Sequence, residues 1–260
     1  MNPIRRDDYG AIVRLVLNSP ANFNALSCEM IAAMRAALAQ IARDDSIRVV
    51  VIAAEGKAFC AGHDIRQMQQ SRQDSDGGRA AFQALFADCS ALMMQIAELP
   101  QPVIAEVQGI ATAAGCQLVA SCDLALAADG VKFGVNGVNI GLFCATPMVA
   151  LTRAVPPKAA FEMLTCGSFI SAERAREIGL INHVTAADDL SWATMTMAET
   201  IAAKLPAAVR IGKAAFRAQQ ALTLEEAYDQ MSKVICDNLM LEETDEGLQA
   251  FLEKRPPNWA

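Results

Sequence analysis

Histidine and closely spaced cysteines are scarce in this chain, and their scarcity excludes the common zinc sites. The 260 residues include only two histidines, and none of the eight cysteines forms a CxxC pair. Structural zinc sites need Cys and His ligands at close spacing, so we expect no bound metal. A disulfide framework is equally unexpected in a large Ala-rich chain whose residues 1–10 are polar and do not resemble a secretory leader. We therefore predict free thiols and a reducing, cytoplasmic location.

An excess of positive charge and a long unbroken apolar run are also missing. The formal net charge is -7, which argues against a broad surface for nucleic acid or for an anionic membrane. The most apolar stretch, residues 103–128, is interrupted by Glu106, Gln108, Gln117 and Asp123, so it does not predict a transmembrane helix. We expect no nucleic-acid and no membrane partner, although a few Lys or Arg side chains can still hold an anionic ligand.

What the chain has in plenty is apolar residues arranged as strands followed by helices. Hydrophobic residues make up 53% of the chain, which is ample for a large core. Strand and helix patterns alternate in the first half, and helical periodicity dominates from residue 146 onwards. This order predicts an α/β fold with parallel strands in a core over residues 1–200, followed by a helical region over residues 201–260 that packs on the core or on a neighbouring subunit. The polar, Gly-containing residues 70–79 are expected to form a mobile loop.

Two stretches share a more specific pattern, a strand that breaks into small residues and then begins a helix. They are residues 57–65 (KAFCAGHDI) and 108–117 (QGIATAAGCQ). Such a turn presents backbone N–H groups at a helix N-terminus, where the helix dipole favours negative charge. Two turns of this kind facing each other would form an oxyanion hole.

Together with motifs along nearly the whole chain, these stretches resemble the crotonase superfamily, the enoyl-CoA hydratase/isomerase family. The resemblance implies a crotonase-like spiral of ββα and βαβ units, a C-terminal helical trimerisation region, and a homotrimer or a dimer of trimers. It also implies an acyl-CoA thioester as the partner, with coenzyme A as part of the substrate and no separate cofactor. The other matching motifs are residues 18–26 (NSPANFNAL), 102–109 (PVIAEVQG), 114–118 (AGCQL), 122–123 (CD), 151–155 (LTRAV), 170–180 (ISAERAREIGL) and 251–255 (FLEKR).

The resemblance assigns roles to individual residues. The two backbone N–H groups that bind the thioester oxygen in this family match those of His63 and Ala114. One such donor is typically worth about 3–4 kcal/mol of activation barrier. The positions that contact coenzyme A match Ala25, Leu26, Ala61, Asp64, Ile65, Phe251 and Lys254, the last two in some members from an adjacent subunit, and Lys57 or Arg66 is placed to meet a phosphate. Ordinary solvated charges, and a core position for Phe251, are the alternatives.

The catalytic glutamates of typical hydratases are absent. The first matches Gln117 and the second matches Gly137. An amide cannot exchange a proton at neutral pH, and general acid–base catalysis is typically worth ~10²–10⁴-fold. We therefore do not expect efficient hydration by the usual route.

Four other side chains are candidates for moving a proton or orienting a reacting group. His63 has an imidazole beside the first donor, although a residue whose backbone is the donor can point its side chain away. Cys144 matches a position where the similar dihydroxynaphthoyl-CoA synthases carry an aspartate, and it is otherwise a small buried core residue. Asn136, with Asn139, can orient a carbonyl or a water, and both are also common turn residues.

These residues leave two functions open. The first is an enzyme that acts on an acyl-CoA by oxyanion stabilisation with non-standard proton transfer, where thioester hydrolysis, double-bond isomerisation and slow hydration are alternatives. The second is a catalytically inactive protein that retains acyl-CoA binding. Asp64 is expected to cap a helix, and Glu106, Asp123 and Arg153 are expected to be structural charges.

Overall fold

The computed structural model describes residues 2–259 and folds them into two β-sheets with helices packed around them, as the α/β prediction requires. Three short 3₁₀ turns, Pro20–Asn22, Asn136–Ile140 and Ala187–Asp189, lie between the longer elements. The strands are β1 (Ile4–Tyr9), β2 (Ile12–Leu17), β3 (Val49–Ala54), β4 (Ala58–Cys60), β5 (Val103–Val107), β6 (Ile110–Thr112), β7 (Leu124–Ala128), β8 (Lys132–Gly134), β9 (Ile170–Ser171) and β10 (His183–Thr185). The helices are α1 (Cys28–Ile41), α2 (Ile65–Ser71), α3 (Arg79–Glu98), α4 (Ala114–Ser121), α5 (Ala145–Ala154), α6 (Pro157–Cys166), α7 (Ala172–Glu177), α8 (Leu190–Ala202), α9 (Pro206–Gln219), α10 (Leu224–Leu239) and α11 (Glu242–Leu252).

The larger sheet has the strand order β1-β2-β3-β5-β7-β10. Its strands pair in parallel from β2 to β10, and only β1 is antiparallel to its neighbour. All six residues of β3 are buried, which is the pattern of a strand covered on both faces. The parallel strands predicted from apolar runs are therefore confirmed, whereas β1 was not predicted because its residues are mostly charged.

The smaller sheet consists of short strands in the order β4-β6-β8-β9. Strands β4 and β6 have three residues each and pair in parallel. Each leads into one of the two turns singled out in the sequence, because β4 is followed by α2 and β6 by α4. The pairing of β4 with β6 therefore brings the two turns to the same edge of the sheet.

Side-chain caps fix the starts of the helices near this edge. Ser27 accepts a hydrogen bond from the Met30 N–H at 3.2 Å and caps α1. Asp64 accepts from the backbone N–H groups of Arg66 and Gln67, which confirms its capping role. With this cap, α2 begins at Ile65.

The segment expected to be a loop over residues 70–79 is more regular than predicted. Helix α2 continues to Ser71, and the Asp76 carboxylate accepts hydrogen bonds from the Gly78 and Ala80 N–H groups ahead of α3. Helix α3 itself is long and apolar enough, by length and composition, to cross a membrane. Its buried side chains, Leu85, Cys89, Leu92, Met93 and Ile96, instead belong to the hydrophobic core, where α3 packs against α1.

Two charge clusters hold the sheet and the C-terminal helices together. Glu106 on β5 is 2.5 Å from Arg14 on β2, which reaches across β3 to meet it. Asp123 lies 2.6 Å from Lys213 and 2.8 Å from Arg217, both on α9. Burial lowers the pKa of Lys213, while the Asp123 carboxylate opposes that shift. The predicted structural charges at Glu106 and Asp123 thus have identified partners.

The last three helices leave much of their apolar surface uncovered. Helices α9 and α10 contain no buried residue, and α11 contains only Ala250. Exposed apolar side chains on these helices include Phe216, Tyr228, Leu239, Leu248 and Phe251. The division of the chain at residue 200 and the trimeric assembly stay predictions.

Candidate active site

The two strand–turn–helix segments pack directly against each other through glycines. Gly62 has a φ of 92°, and a Cβ added to it would lie 2.9 Å from the Ala113 Cβ and 3.4 Å from the Ala114 nitrogen. A Cβ added to Gly115 would overlap the Cys60 carbonyl. Only glycine allows both approaches, because any side chain would force the turns apart.

Ala113, the residue before α4, holds a strained backbone conformation. Its φ is 50° and its ψ is −118°, a region that L-residues rarely adopt. Its N–H donates to the Gly134 carbonyl at 2.8 Å, which anchors the turn to the end of β8. Such strain costs of order 1–3 kcal/mol and is common at functional sites.

Two backbone donors belong to residues that line one cavity. Within residues 2–259, the N–H groups of His63 and Ala114 donate no hydrogen bond, and both residues line the same cavity. Ala114 is the first residue of α4, so its N–H lies at the positive end of the helix dipole. The oxyanion hole at these two N–H groups stays a prediction.

The cavity has a volume of about 420 Å³ and a mostly apolar wall. No charged side chain lines it among the described residues. A wall of this kind lowers the local dielectric constant and strengthens hydrogen bonds to a developing negative charge. The apolar lining comes from Ala61, Ile65, Met68, Phe86, Ile140, Leu142, Phe143 and Pro147.

The His63 side chain is held as a neutral imidazole. Its Nδ1 is 3.2 Å from the Leu26 carbonyl oxygen, and because that oxygen can only accept, Nδ1 carries the proton. The ring stands edge-on to Phe86 with a centroid distance of 5.3 Å, and Nε2 is buried without a hydrogen-bond partner among the described residues. Burial lowers the pKa of His63. The basic nitrogen is therefore closed off from solvent.

Cys144 and Gly137 lie together on the opposite wall. Cys144 is 7% exposed, and burial raises the pKa of its thiol, so the thiolate needed for a nucleophile is disfavoured. A Cβ on Gly137 would lie 2.9 Å from the Cys144 sulfur and would overlap the Leu142 carbonyl. The backbone therefore leaves no room for any side chain at the position that matches the second glutamate.

Gln117 does not line the cavity that contains His63 and Ala114. It stands three residues after Ala114 on α4, about 4.5 Å further along the helix, and lines a neighbouring cavity of about 410 Å³. Its side chain is nearly fully buried, and its Oε1 has no hydrogen-bond partner among the described residues. Thr146 lines both cavities.

The two asparagines have different environments. Both asparagines line the cavity, and the Asn136 Oδ1 accepts a hydrogen bond from the Thr112 hydroxyl at 2.6 Å. Asn139 donates to the Gly167 carbonyl at 2.9 Å, which supports the structural alternative for that residue. Asn136 keeps its amide N–H₂ for a ligand, so it is the better placed of the two.

The residues expected to contact coenzyme A fall into two groups. Ala61 and Ile65 line the cavity, and the buried Ala25 and Leu26 adjoin it because the Leu26 N–H donates to the Gly62 carbonyl at 2.7 Å. Phe251, which is 81% exposed, and Lys254 lie at the end of α11 and do not line the cavity of this chain. The core alternative for Phe251 is therefore wrong.

Several cavity residues were not predicted from the sequence. Met68 and Phe86 belong to the helical patterns of α2 and α3, and neither lies in a recognisable motif. Thr112 precedes Ala113 in the second motif, yet only the pairing of β6 with β8 brings it to Asn136. These contacts depend on how distant elements pack, and the sequence carries no local signal for them.

Metal ligands and disulfides were also sought among residues 2–259. No group of three or more His, Cys, Asp and Glu side chains lies close enough there to hold a metal ion. All eight cysteines, which lie within these residues, are free thiols.

Comparison with known proteins gives matches over nearly the whole chain. The sequence profile of the enoyl-CoA hydratase/isomerase family matches residues 7–260. Mitochondrial enoyl-CoA hydratase domain-containing protein 3 of Mus musculus is 43% identical over 249 residues, which are 96% of this chain and 81% of that protein. A putative enoyl-CoA hydratase of Thermus thermophilus is 31% identical over 97% of this chain and 98% of its own length.

Solved structures also match this chain over nearly its whole length. The enoyl-CoA hydratase of Mycobacterium smegmatis superimposes with a TM-score of 0.95 at 48% identity, covering 99% of this chain and 98% of the other. Human enoyl-CoA hydratase domain-containing protein 3 gives a TM-score of 0.94 at 42% identity, covering 99% and 100%. The cytoplasmic location predicted from the sequence is wrong on this comparison, because the vertebrate relatives are named as mitochondrial.

Proposed function

Because this chain belongs to the enoyl-CoA hydratase/isomerase family, we propose that it binds an acyl-CoA thioester and stabilises negative charge on the thioester oxygen through the His63 and Ala114 N–H groups. The observation that carries this proposal is the pair of free backbone donors on facing turns at one apolar cavity. Preorganised donors of this kind favour an enolate-like transition state over the ground-state thioester.

The proton-transfer half of the usual hydratase site has no replacement in this cavity. Gln117 lines a different cavity, and Gly137 is enclosed by the Leu142 carbonyl and the Cys144 sulfur. The raised pKa of Cys144 argues against a thioesterase that uses its thiol as a nucleophile. The basic nitrogen of His63 is buried without a hydrogen-bond partner among the described residues, which argues against a role as the main base. We therefore favour an enzyme whose proton-transfer chemistry is weak or differs from that of the usual hydratases. An inactive acyl-CoA-binding protein is the second candidate.

The coenzyme A part of the ligand is proposed to lie along the segment from Ala25 to Ile65. Ile65 is 53% exposed at the cavity mouth, and the exposed Lys57 and Arg66 are available for phosphates. Phe251 and Lys254 would act from a neighbouring subunit in a homotrimer. The uncovered apolar side chains of α9 to α11 support such an assembly, since exposed patches of this kind mark interfaces.

A calorimetric comparison of two ligands tests the proposed oxyanion contact. Octanoyl-CoA carries the thioester carbonyl, and the thioether S-octyl-CoA lacks it but keeps the chain and the nucleotide. Two net hydrogen bonds predict that the thioester binds about tenfold more tightly. Equal affinities for the two ligands would contradict the proposed oxyanion contact. Failure of both ligands to bind would overturn the proposed function.

The choice between the enzyme and the inactive binder needs a panel of acyl-CoA and enoyl-CoA thioesters. Thiol release reports hydrolysis, and absorbance reports hydration or isomerisation of the double bond. Tight binding with no turnover of any thioester would eliminate the enzyme in favour of the binding protein. Turnover of one substrate class would identify the reaction.

A further inference from the structure

The cavity around Gln117 is a second, separate feature of the described chain. It lies between α3, α4 and α5, and its lining combines apolar residues such as Met93, Ala97 and Val149 with polar ones. The Gln117 amide is one of these polar groups. Its side chain is 4% exposed, and its Oε1 has no protein partner among residues 2–259. The one side-chain hydrogen bond that involves Gln117 runs from the Ser121 hydroxyl to the Gln117 backbone carbonyl at 2.8 Å, so the side-chain N–H₂ group donates none among the described residues. This N–H₂ group is therefore available to an acceptor on a ligand.

The charged side chains that line this cavity are positive. Arg153 and Arg217 line it, and no carboxylate does so among the described residues. The adjoining cavity, which shares both arginines, adds Lys213 and one carboxylate, Asp123. Asp123 is already engaged by Lys213 and Arg217. Three cations therefore face one carboxylate.

Arg153 is the cation with the most free bonding capacity. Its Nη1 donates to the Val149 carbonyl of its own helix at 2.8 Å, and it makes no ion pair among the described residues. The Nε of Arg217 is also buried without a partner. Because a guanidinium binds carboxylates through paired N–H groups, these two side chains can bind an anionic group.

The Gln117 cavity adjoins the proposed thioester site. Thr146 lines both cavities, and α4 runs past both, with Ala114 at the first and Gln117 and Ala120 at the second. The seven residues from Ala114 to Ala120 span about 9 Å along the helix axis, so the two cavities lie next to each other along α4.

We propose that the acyl group of the ligand ends in a carboxylate, which the Gln117 amide and the Arg153 and Arg217 guanidinium groups bind in this second cavity. The inference rests on the proposed function, because it takes the thioester at His63 and Ala114 as its starting point. A carboxylate accepts from the amide N–H₂ and pairs with the Arg153 guanidinium, whereas Arg217 already has a partner in Asp123. A plain alkyl chain would leave the N–H₂ without a partner and would gain nothing from the arginines.

Calorimetric titration with two acyl-CoA thioesters tests this proposal. Octanoyl-CoA and suberyl-CoA share the same chain length and differ in the terminal carboxylate. A charge-assisted hydrogen bond predicts that the wild-type protein binds suberyl-CoA at least tenfold more tightly. Arg153→Gln and Gln117→Leu should each reduce this preference several-fold, whereas Arg176→Gln, which removes an exposed charge on α7 away from both cavities, should leave it unchanged.

Each outcome separates this inference from the proposed function. Equal binding of the two thioesters by the wild-type protein, or an equal loss of preference in the Arg176 variant, overturns the terminal carboxylate site and leaves the thioester site standing. Failure of both thioesters to bind overturns the proposed function itself. Circular dichroism of each variant confirms that the compared proteins are folded.

Discussion

Single residues decide how this site is built, and Ala113 is the clearest case. It occupies a backbone conformation that suits glycine, yet its position fixes where the Ala114 N–H points. The structure thus holds strain next to the donor, as functional turns often do.

Ala113→Gly should therefore stabilise the protein. Glycine adopts a positive φ without steric cost, so we expect the free energy of unfolding in urea to rise by about 1 kcal/mol. Ala36→Gly in the exposed middle of α1 is the matched control and should lower it by about 1 kcal/mol, because that backbone is helical. A loss of stability in both variants would contradict the strain at Ala113.

The buried imidazole of His63 predicts a pH-dependent stability. Burial lowers its pKa in the folded protein, so the unfolded chain takes up the proton first as the pH falls below about 6.5. The folded state then loses stability from that pH downwards. We expect His63→Gln to show a shallower loss of unfolding free energy between neutral and mildly acidic pH than the wild-type protein.

His183 provides the control for this measurement, because it is exposed on β10. The His183→Gln variant should follow the wild-type pH profile. If His63→Gln also follows that profile, burial does not disfavour the charged imidazole in the folded protein.

At the scale of residues, sequence motifs predicted part of the candidate site. His63, Ala114 and Asn136 do line one cavity, as do Ala61 and Ile65. Gln117 was expected near the thioester, but the rotation of α4 in its packing places it at the neighbouring cavity. A sequence fixes the spacing of residues on a helix, whereas the direction each one faces depends on the partners that pack around it.

Secondary structure elements are held in register by a buried ion pair as well as by the core. The carboxylate of Glu106 is 5% exposed and meets Arg14 across the intervening strand β3. Removing one partner of such a pair leaves the other charge buried and unpaired, which is more costly than losing a surface pair.

Arg14→Met should accordingly lower the free energy of unfolding by about 3–5 kcal/mol. Arg6→Met, which breaks the more exposed pair with Asp8 on β1, should change it by about 1 kcal/mol or less. Urea denaturation of both variants makes the comparison. Similar effects in the two would show that the Arg14–Glu106 pair adds nothing beyond an exposed pair.

Elements with strong local signals were predicted well, whereas the pairing of distant short strands was not. The apolar runs of β3, β5 and β7 and the caps Ser27 and Asp64 identify their elements directly. Strands β4 and β6 have only three residues each, and they exist because they pair with each other across about fifty residues of sequence. No local pattern encodes that pairing, although it brings the two oxyanion donors together.

At the scale of the whole molecule, the proposed account combines an oxyanion hole with the absence of both glutamates. His63 and Ala114 line an apolar cavity, while the matching glutamate positions hold an amide in another cavity and a glycine without room for a side chain. We propose that such a site polarises a thioester carbonyl without efficient proton transfer to the substrate.

One absorbance measurement tests both the proposed oxyanion hole and the proposed absence of proton-transfer groups. A conjugated enoyl-CoA such as cinnamoyl-CoA absorbs at longer wavelength when its carbonyl oxygen is polarised, and it loses the band when water adds to the double bond. We predict that binding shifts the band to longer wavelength and that the shifted band then persists. An unshifted band despite saturated binding would contradict the oxyanion hole, and rapid bleaching of the band would contradict the absence of proton-transfer groups.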